Sequence, residues 1–371
     1  MTKPFARLPM LACMAMSGLV LAPAGAFAQS IEQVDAVPEM ATPLPVYIGG
    51  RVVDAGAHWK RQWPGTYFET AFEGREAYIE IGDGDVMLNV IVDAGQPVRL
   101  IKPEAGLYRI SGLADGTHSL KVQVISESQA GATAIGSVYT TGSYTPLKTR
   151  GPQIEFIGDS HTVGYGNTST TRDCTQEDVW LTTDTSQGPA GVIAGHYGAD
   201  YQVNAISGRG IVRNYDGGAG DTLPAAYPFA LLNDDTTYEP EGWAPEVVVI
   251  SLGTNDFSTE LKPEEKWATR DALQQDFAST YVAFVEMLHE RYPGASFILW
   301  ATDLADGEIA AMGEAVADEV VAAGDIDITF ISIPGLAMSG CHYHPDTADA
   351  GRIADQVIAE IDLIFAEAEA E

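Results

Sequence analysis

Positive charge is scarce in this sequence. Its 371 residues include 20 Lys and Arg against 52 Asp and Glu, which gives a formal net charge of −32 at pH 7. A surface this acidic repels nucleic acid and anionic lipid, because both carry negative charge. We therefore expect no nucleic-acid partner.

Long apolar runs are missing after residue 28, so no later segment is expected to cross a membrane. Residues 1–28 predict a secretory signal: Lys3 and Arg7 are basic, an apolar stretch runs from Leu8 to about Leu21, and Ala26-Phe27-Ala28 is a cleavage pattern before Gln29. A transmembrane anchor is the alternative, although the apolar stretch is short for one. The sequence thus predicts cleavage near Ala28, secretion to the periplasm or the medium, and no membrane anchor.

Cysteine is also rare, with three in the chain. Cys13 lies in the predicted signal, where the preceding residues make a poor lipoprotein motif. Two cysteines remain, Cys174 and Cys341, and these are too few for a structural zinc site. Two cysteines in an oxidising compartment usually pair, so we expect a Cys174–Cys341 disulfide, with two separate buried thiols as the alternative. We expect no metal and no cofactor.

The first part of the mature chain has the pattern of an all-β domain. Residues 29–45 are polar and contain three prolines, which indicates a flexible lead-in. From 46 to 147, short alternating runs such as 77–81 and 118–124 are separated by turn signals such as Gly82-Asp83-Gly84. This spacing predicts a β-sandwich of about 100 residues.

A different pattern follows a linker at 146–152. Helical stripes alternate with five compact apolar strands, Ile154–Gly158, Tyr201–Ile206, Val247–Leu252, Phe297–Trp300 and Ile328–Ile331. Buried strands that alternate with helices predict a parallel sheet flanked by helices over residues 152–368. In such a sheet, ligands bind at the carboxyl ends of the strands.

Four short motifs lie where predicted strands end. They are Gly158-Asp159-Ser160-His161, Ser207-Gly208-Arg209-Gly210, Gly253-Thr254-Asn255-Asp256 and, before the last helix, Cys341-His342-Tyr343-His344. Taken alone, each of the first three is better explained by an ordinary turn or a helix cap, and a lone loop histidine is more often a bystander than a base. The Cys-His-x-His cluster alone also permits a metal site. Together they bring a hydroxyl, a glycine N–H, an amide and an imidazole to one edge of the sheet.

This set of motifs resembles the SGNH (GDSL-like) hydrolase superfamily over about residues 152–368. The resemblance implies a flavodoxin-like α/β fold and a carboxylic ester hydrolase. It also implies that Ser160 is the nucleophile and His344 the general base. The Ser160 N–H, the Gly208 N–H and the Asn255 side chain would form the oxyanion hole.

A closer resemblance is to carbohydrate esterase family two, the acetylxylan esterase-like enzymes. It implies that the first domain is a jelly roll and that the chain removes acetyl groups from acetylated carbohydrate, such as plant polysaccharide. The strings that carry it lie in both domains: Trp63–Glu69, Ser126–Gln129, Ile154–Ser160, Ser207–Tyr215 and Leu252–Ser258. The alternatives are an SGNH esterase, lipase or thioesterase for other esters, and a carbohydrate-binding protein with an inactive hydrolase domain.

One position departs from the SGNH pattern. Many of these enzymes have Asp three residues before the histidine, where it orients the imidazole, but position 341 here is Cys. The resemblance to family two implies a Ser–His dyad, with a backbone carbonyl that holds the imidazole. Asp346 as the acid and His342 as the base are the alternatives.

Aromatic side chains near the motifs are candidates for sugar binding. Tyr165, Trp180 and Tyr343 could each stack on a sugar ring, although each could equally be a packing residue. We also include Asp159, beside the nucleophile, among the candidate substrate-binding residues.

Overall fold

The computed structural model describes residues 29–232, 236–239, 242–368 and 370. The predicted signal peptide, 1–28, lies outside these ranges. Within them, no helix combines the length and the apolar character that a membrane span needs.

The first region consists of two antiparallel sheets. One sheet has the order β1-β10-β7-β12-β5-β4 with β2 beside β12, and the other has the order β13-β6-β11-β8-β9 with β3 beside β6. The strands are β1 Ser30–Val34, β2 Thr42–Pro43, β3 Tyr47–Gly49, β4 Val53–Asp54, β5 His58–Arg61, β6 Tyr67–Gly74, β7 Ala77–Ile81, β8 Met87–Val92, β9 Val98–Ile101, β10 Gly106–Ser111, β11 Gly116–Val124, β12 Thr133–Thr140 and β13 Ser143–Tyr144.

The core of this region lies between the two sheets. Alternate residues of each strand point inward, as Ile79 does from one sheet and Val90 and Val122 do from the other. The lead-in differs from the prediction. Residues 30–34 form β1, which pairs with β10 along its whole length, because main-chain pairing at a sheet edge does not need an apolar sequence.

The second region is a five-stranded parallel sheet with helices on both faces. The strand order is β15-β14-β16-β17-β18. Its elements are β14 Gln153–Gly158, α1 Ser160–Val163, α2 Gln176–Thr182, α3 Pro189–Tyr197, β15 Asp200–Ala205, α4 Leu223–Ala226, β16 Val247–Ser251, α5 Thr254–Phe257, α6 Arg270–Arg291, β17 Ser296–Thr302, α7 Glu308–Ala323, β18 Ile328–Ile333 and α8 Thr347–Ala368. The predicted fold class is confirmed.

Helices cover the parallel sheet because its strands are apolar on both faces. Val248 and Ile250 of β16 pack with α6 and α7, whereas Val247 and Val249 pack with α3 and α8. The predicted apolar stripe of α6 is buried as expected. That helix ends just before Pro293, since the residue that precedes a proline disfavours the helical conformation.

Strand β14 lies between β15 and β16, and this position places the functional loops. Gly158 at its end is in register with Ala205 of β15 and Ser251 of β16. The loops that follow the three strands therefore leave the sheet side by side. This is the topological switch point at which parallel α/β sheets bind ligands.

The two regions share a buried interface. Trp63 packs into the core of the α/β domain, and its indole N–H donates to the Phe229 carbonyl. Gly65 has a φ of +69°, and a Cβ there would lie 2.8 Å from the Val203 side chain. Only glycine allows so close an approach in this conformation.

Candidate active site

Ser160 lies directly after β14, at the first position of α1. Asp159 caps this short helix by accepting a hydrogen bond from the His161 N–H at 3.0 Å. In the part of the chain that the structure describes, no acceptor lies within hydrogen-bond reach of the Ser160 main-chain N–H. A ligand oxygen placed beside Ser160 would find this donor available.

His344 reaches Ser160 from the loop after β18. Its Nε2 is 2.9 Å from Ser160 Oγ, and its Nδ1 is 3.0 Å from the Cys341 carbonyl oxygen. A carbonyl can only accept, so the proton of neutral His344 must be on Nδ1. Nε2 then carries the lone pair and accepts from the Ser160 hydroxyl, which is the arrangement of a general base.

Burial controls the charge of His344. It lowers the pKa of the imidazole to about 4, against a smaller opposing effect of the bond to Cys341. His161 stands edge-on to His344 with ring centroids 5.6 Å apart, and burial lowers its pKa to about 3. Both rings are therefore neutral at pH 7, and His344 is in the form that can take up a proton.

The backbone before His344 is in an unusual conformation. His342 and Tyr343 both have left-handed φ values, of 53° and 61°. Such residues persist only where the surroundings hold them. The predicted Cys174–Cys341 disulfide is present and anchors this loop, and the His342 N–H donates to the Arg172 carbonyl at 2.8 Å.

The two alternatives to the dyad have other partners. His342 contacts the Tyr165 hydroxyl at 3.1 Å and the Cys174 carbonyl at 2.8 Å. The Asp346 carboxylate bonds to the Ser339 hydroxyl and accepts main-chain N–H groups from the start of α8. Among the described residues, neither the His342 imidazole nor the Asp346 carboxylate forms a hydrogen bond with the side chain of Ser160 or His344.

Gly208 lies in a tight turn after β15. The Arg209 N–H donates to the Ile206 carbonyl at 3.2 Å, and Gly208 at the third position has a φ of +84°. Ser207 at the second position is not left-handed, so this is a type II turn. Among the described residues, the Gly208 N–H also has no acceptor.

Asn255 joins the first two loops. Its amide Nδ2 donates to Asp159 Oδ2 at 3.0 Å and to the Arg209 carbonyl at 2.8 Å. Both amide hydrogens therefore have acceptors in this structure. To donate to a third group as well, Asn255 would have to share one of these two hydrogen bonds.

The chain is similar to known families of esterases. Residues 48–149 match the model of the carbohydrate esterase 2 N-terminal domain, and residues 156–350 match that of the GDSL-like lipase/acylhydrolase family. An acetylxylan esterase / glucomannan deacetylase of Cellvibrio japonicus is 42% identical over 86% of this chain and 91% of its own. The chain belongs to carbohydrate esterase family 2. It is accordingly a carboxylic ester hydrolase.

Solved carbohydrate esterase structures resemble most of this chain, across both domains. One is reported as a carbohydrate esterase whose active site has divergent catalytic and non-catalytic binding functions. It is 39% identical, has a TM-score of 0.82, and covers 87% of this chain and 98% of its own. A family two esterase of Clostridium thermocellum, solved with cellohexaose, is 26% identical with a TM-score of 0.76 over 87% of this chain and 99% of its own.

Sequence reasoning missed the role of Asp256, although it is the last residue of the Gly-Thr-Asn-Asp motif. Its buried carboxylate accepts main-chain N–H groups from Ile211, Val212 and Arg213, at 2.9 to 3.0 Å. Burial raises the pKa of Asp256 to about 6, and these three bonds act in the opposite direction. Asp256 thus holds the segment after the Gly208 turn.

Sequence reasoning also missed two residues of the β-sandwich, Glu127 and Gln129. Glu127 Oε1 accepts the Ser207 N–H at 2.8 Å, and Gln129 Nε2 donates to the Ser207 carbonyl at 3.0 Å. Gln129 Nε2 also donates to Glu127 Oε1 at 2.9 Å. The available signal was that Ser126–Gln129 is one of the strings that carry the resemblance to family 2, but sequence alone did not show what it contacts.

A cleft between the domains contains two of the predicted sugar-binding residues. It has a volume of about 700 Å³ and is lined by Tyr165 and Trp180, together with Lys102 and Glu127. The Tyr165 ring lies 4.3 Å from the His344 ring, centroid to centroid, and the Lys102 ammonium lies 4.5 Å from the Trp180 ring. Tyr165 thus connects the cleft to the Ser160–His344 pair.

The other two predicted sugar-binding residues are placed differently. Tyr343 is 66% exposed and lies under the Arg172 guanidinium, outside the lining of this cleft. Asp159 is fully buried, and its carboxylate is occupied by His161 and Asn255. We expected Asp159 to bind substrate, but its carboxylate points inward because it caps the helix that begins at Ser160. This position disagrees with the expected role.

Proposed function

We propose that this chain is a secreted serine esterase that removes O-acetyl groups from carbohydrate through a Ser160–His344 dyad. The observation that carries the proposal is the position of His344, with Nε2 at 2.9 Å from Ser160 Oγ and Nδ1 at 3.0 Å from the Cys341 carbonyl. The named activity of the Cellvibrio japonicus relative supports xylan and glucomannan as the substrate class.

The dyad would act by acyl transfer. Ser160 Oγ attacks the acetyl carbonyl while its proton passes to His344 Nε2, and the sugar hydroxyl leaves with that proton. Water then attacks the acetyl-enzyme and gives a proton to Nε2, and Nε2 returns this proton to Ser160 Oγ as the acyl bond breaks and acetate is released. The Cys341 carbonyl holds the imidazole throughout and stabilises the imidazolium as a neutral acceptor.

The oxyanion would form beside three donors. The main-chain N–H groups of Ser160 and Gly208 support this role because no described residue accepts from them. Asn255 contributes by sharing the hydrogen that it gives to the Arg209 carbonyl. Loss of one such donor typically reduces turnover by about 10²–10³, and we expect this of Asn255→Ala.

We further propose that the sugar chain lies in the interdomain cleft. Tyr165 would contact the acetylated unit beside His344, and Trp180 would stack on a more distant unit. Trp180→Ala should raise KM for acetylated xylan and leave p-nitrophenyl acetate hydrolysis unchanged. Trp267→Ala is a matched control, because Trp267 also carries a lysine at 4.5 Å from its ring but lies outside this cleft.

Secretion has support from the disulfide, because disulfides persist in oxidising compartments. If the signal is cleaved as proposed, the exported protein begins near Gln29. Mass spectrometry of the N-terminal peptide measures this, and an intact N-terminus on the exported protein would contradict it.

The experiment that tests the function compares Ser160→Ala with the wild type. Acetate release from acetylated xylan and glucomannan, and hydrolysis of p-nitrophenyl acetate, should both be lost. Ser279→Ala, an exposed serine on α6, is the control and should remain active. Full activity of Ser160→Ala would end the proposal. Activity on p-nitrophenyl acetate without any acetate from carbohydrate would favour an esterase for other substrates, and no activity in the wild type would favour a binding protein.

A further inference from the structure

The β-sandwich contacts the turn that carries the Gly208 N–H. Glu127 and Gln129, in the segment after β11, make three hydrogen bonds that form a closed ring with Ser207. Ser207 gives its N–H to Glu127 and receives the Gln129 amide on its carbonyl. Gln129 also bonds to Glu127, so the two side chains hold each other in place.

The bond to the Ser207 carbonyl determines where the Gly208 N–H points. The structure has no cis peptide bond in the described ranges, and the C=O and N–H of a trans peptide point in opposite directions. Gln129 therefore fixes the plane of the Ser207–Gly208 peptide and, with it, the direction of the N–H. A hydrogen bond on the carbonyl also polarises the peptide and makes its N–H a stronger donor.

The turn type makes this control necessary. Type I and type II turns differ mainly by a rotation of their central peptide, which here joins Ser207 and Gly208. Glycine at the third position tolerates both forms, because it is not restricted to negative φ. In the rotated form, the Gly208 N–H would point away from its present direction and the Ser207 carbonyl would replace it.

We propose that Gln129 and Glu127 are positioning residues of the oxyanion hole, supplied by the β-sandwich domain. Gln129 selects the orientation of the Ser207–Gly208 peptide, and Glu127 holds the preceding N–H and the Gln129 amide. This inference rests on the proposed function, because it assumes that the Gly208 N–H receives the oxyanion. Under this inference, the β-sandwich domain orients a donor of the oxyanion hole, in addition to any contact that it makes with the sugar.

The test is a set of variants in the full-length mature protein. Gln129→Met keeps the length of the side chain and removes its N–H donors. We expect kcat on p-nitrophenyl acetate to fall about tenfold, the scale of one net hydrogen bond, with KM nearly unchanged. Binding of phenylboronic acid, which forms a tetrahedral adduct on the serine, should weaken by a similar factor.

Two further variants address Glu127. Glu127→Ala removes the acceptor for the Ser207 N–H and should lower kcat as Gln129→Met does. Glu127→Gln keeps an oxygen that can accept this bond and should recover most of the activity. This rescue separates the positioning of the turn from a requirement for the negative charge.

Gln123→Met is the matched control. Gln123 also crosses the domain interface, but its amide donates to the Tyr201 hydroxyl near the start of β15, at the other end of that strand from Ser207. It should retain the wild-type kcat. An equal loss in Gln123→Met would overturn the inference, since interface stability would then explain the effect.

Other outcomes separate the inference from the proposed function. Unchanged kcat in both Gln129→Met and Glu127→Ala would overturn it, and so would a rise in KM alone, which would mean that these residues contact substrate. If Ser160→Ala is inactive in the same assay, the proposed function survives either result. If Ser160→Ala is active, the proposed function fails first.

Discussion

Replacing Cys174 and Cys341 with alanine tests how the histidine loop is held. The disulfide joins residues 167 positions apart. In the loop-entropy account, a closed loop of this length destabilises the unfolded chain by about 5 kcal/mol at 25 °C. For about 340 residues unfolding together, the entropy of unfolding is about 0.7 kcal/mol/K, so Tm should fall by roughly 7 °C.

Activity should change much less than stability. The loop keeps other anchors, since the His342 N–H donates to the Arg172 carbonyl and the Arg172 guanidinium donates to the carbonyls of Met338 and Ala337. The carbonyl of residue 341 that holds His344 belongs to the backbone and survives the substitution. We therefore expect kcat below Tm to stay within about threefold of the wild type, less than the loss expected from one broken catalytic hydrogen bond.

The assay is thermal unfolding by circular dichroism together with kcat on p-nitrophenyl acetate at 25 °C. Cys174→Ala alone serves as a comparison, because it breaks the bridge and keeps the Cys341 side chain. An unchanged Tm in the double variant would refute the loop-entropy argument. A Tm that falls as expected, with a kcat that falls by orders of magnitude, would instead mean that the disulfide itself positions His344.

Three further predictions address the site and the interface. Burial should keep the pKa of His344 near 4, well below the ordinary 6.5. A histidine-selective NMR titration, with His344→Ala to assign the signal, should show this ring neutral down to about pH 5. A titration midpoint near 6.5 would contradict the burial argument. Asp346→Asn and His342→Ala should each keep most of the kcat on p-nitrophenyl acetate, whereas His344→Ala should lose it. If Asp346→Asn loses as much activity as His344→Ala while its fold stays intact, the Asp346 carboxylate is required. Gly65→Ala should lower Tm, because its Cβ would lie 2.8 Å from the Val203 side chain at a φ of +69°, and an unchanged Tm would show that the interface relaxes without cost.

Local sequence was enough for most of the elements of the α/β domain and for a set of candidate site residues. Five apolar strands and the stripes of α6 and α8 were readable because burial on both faces, or on one helical face, imposes a period on the residues. Ser160, Gly208 and Asn255 lie in motifs that follow predicted parallel strands, which end at one edge of the sheet. These residues and His344 could be proposed because the set of motifs resembles that of the SGNH hydrolases. The disulfide followed from the presence of two cysteines in a chain expected to be exported.

Only the tertiary structure showed which groups contact the candidate site residues. The acceptor of the His344 Nδ1 proton is a main-chain carbonyl, and every residue has one, so no residue type could indicate Cys341. Asp159 could point outward to substrate or inward to cap α1, and only the packing around Asn255 selected the inward position. The contact of Glu127 and Gln129 with Ser207 spans about 80 residues and two domains. It depends on how the sandwich docks on the parallel sheet, which no local pattern encodes.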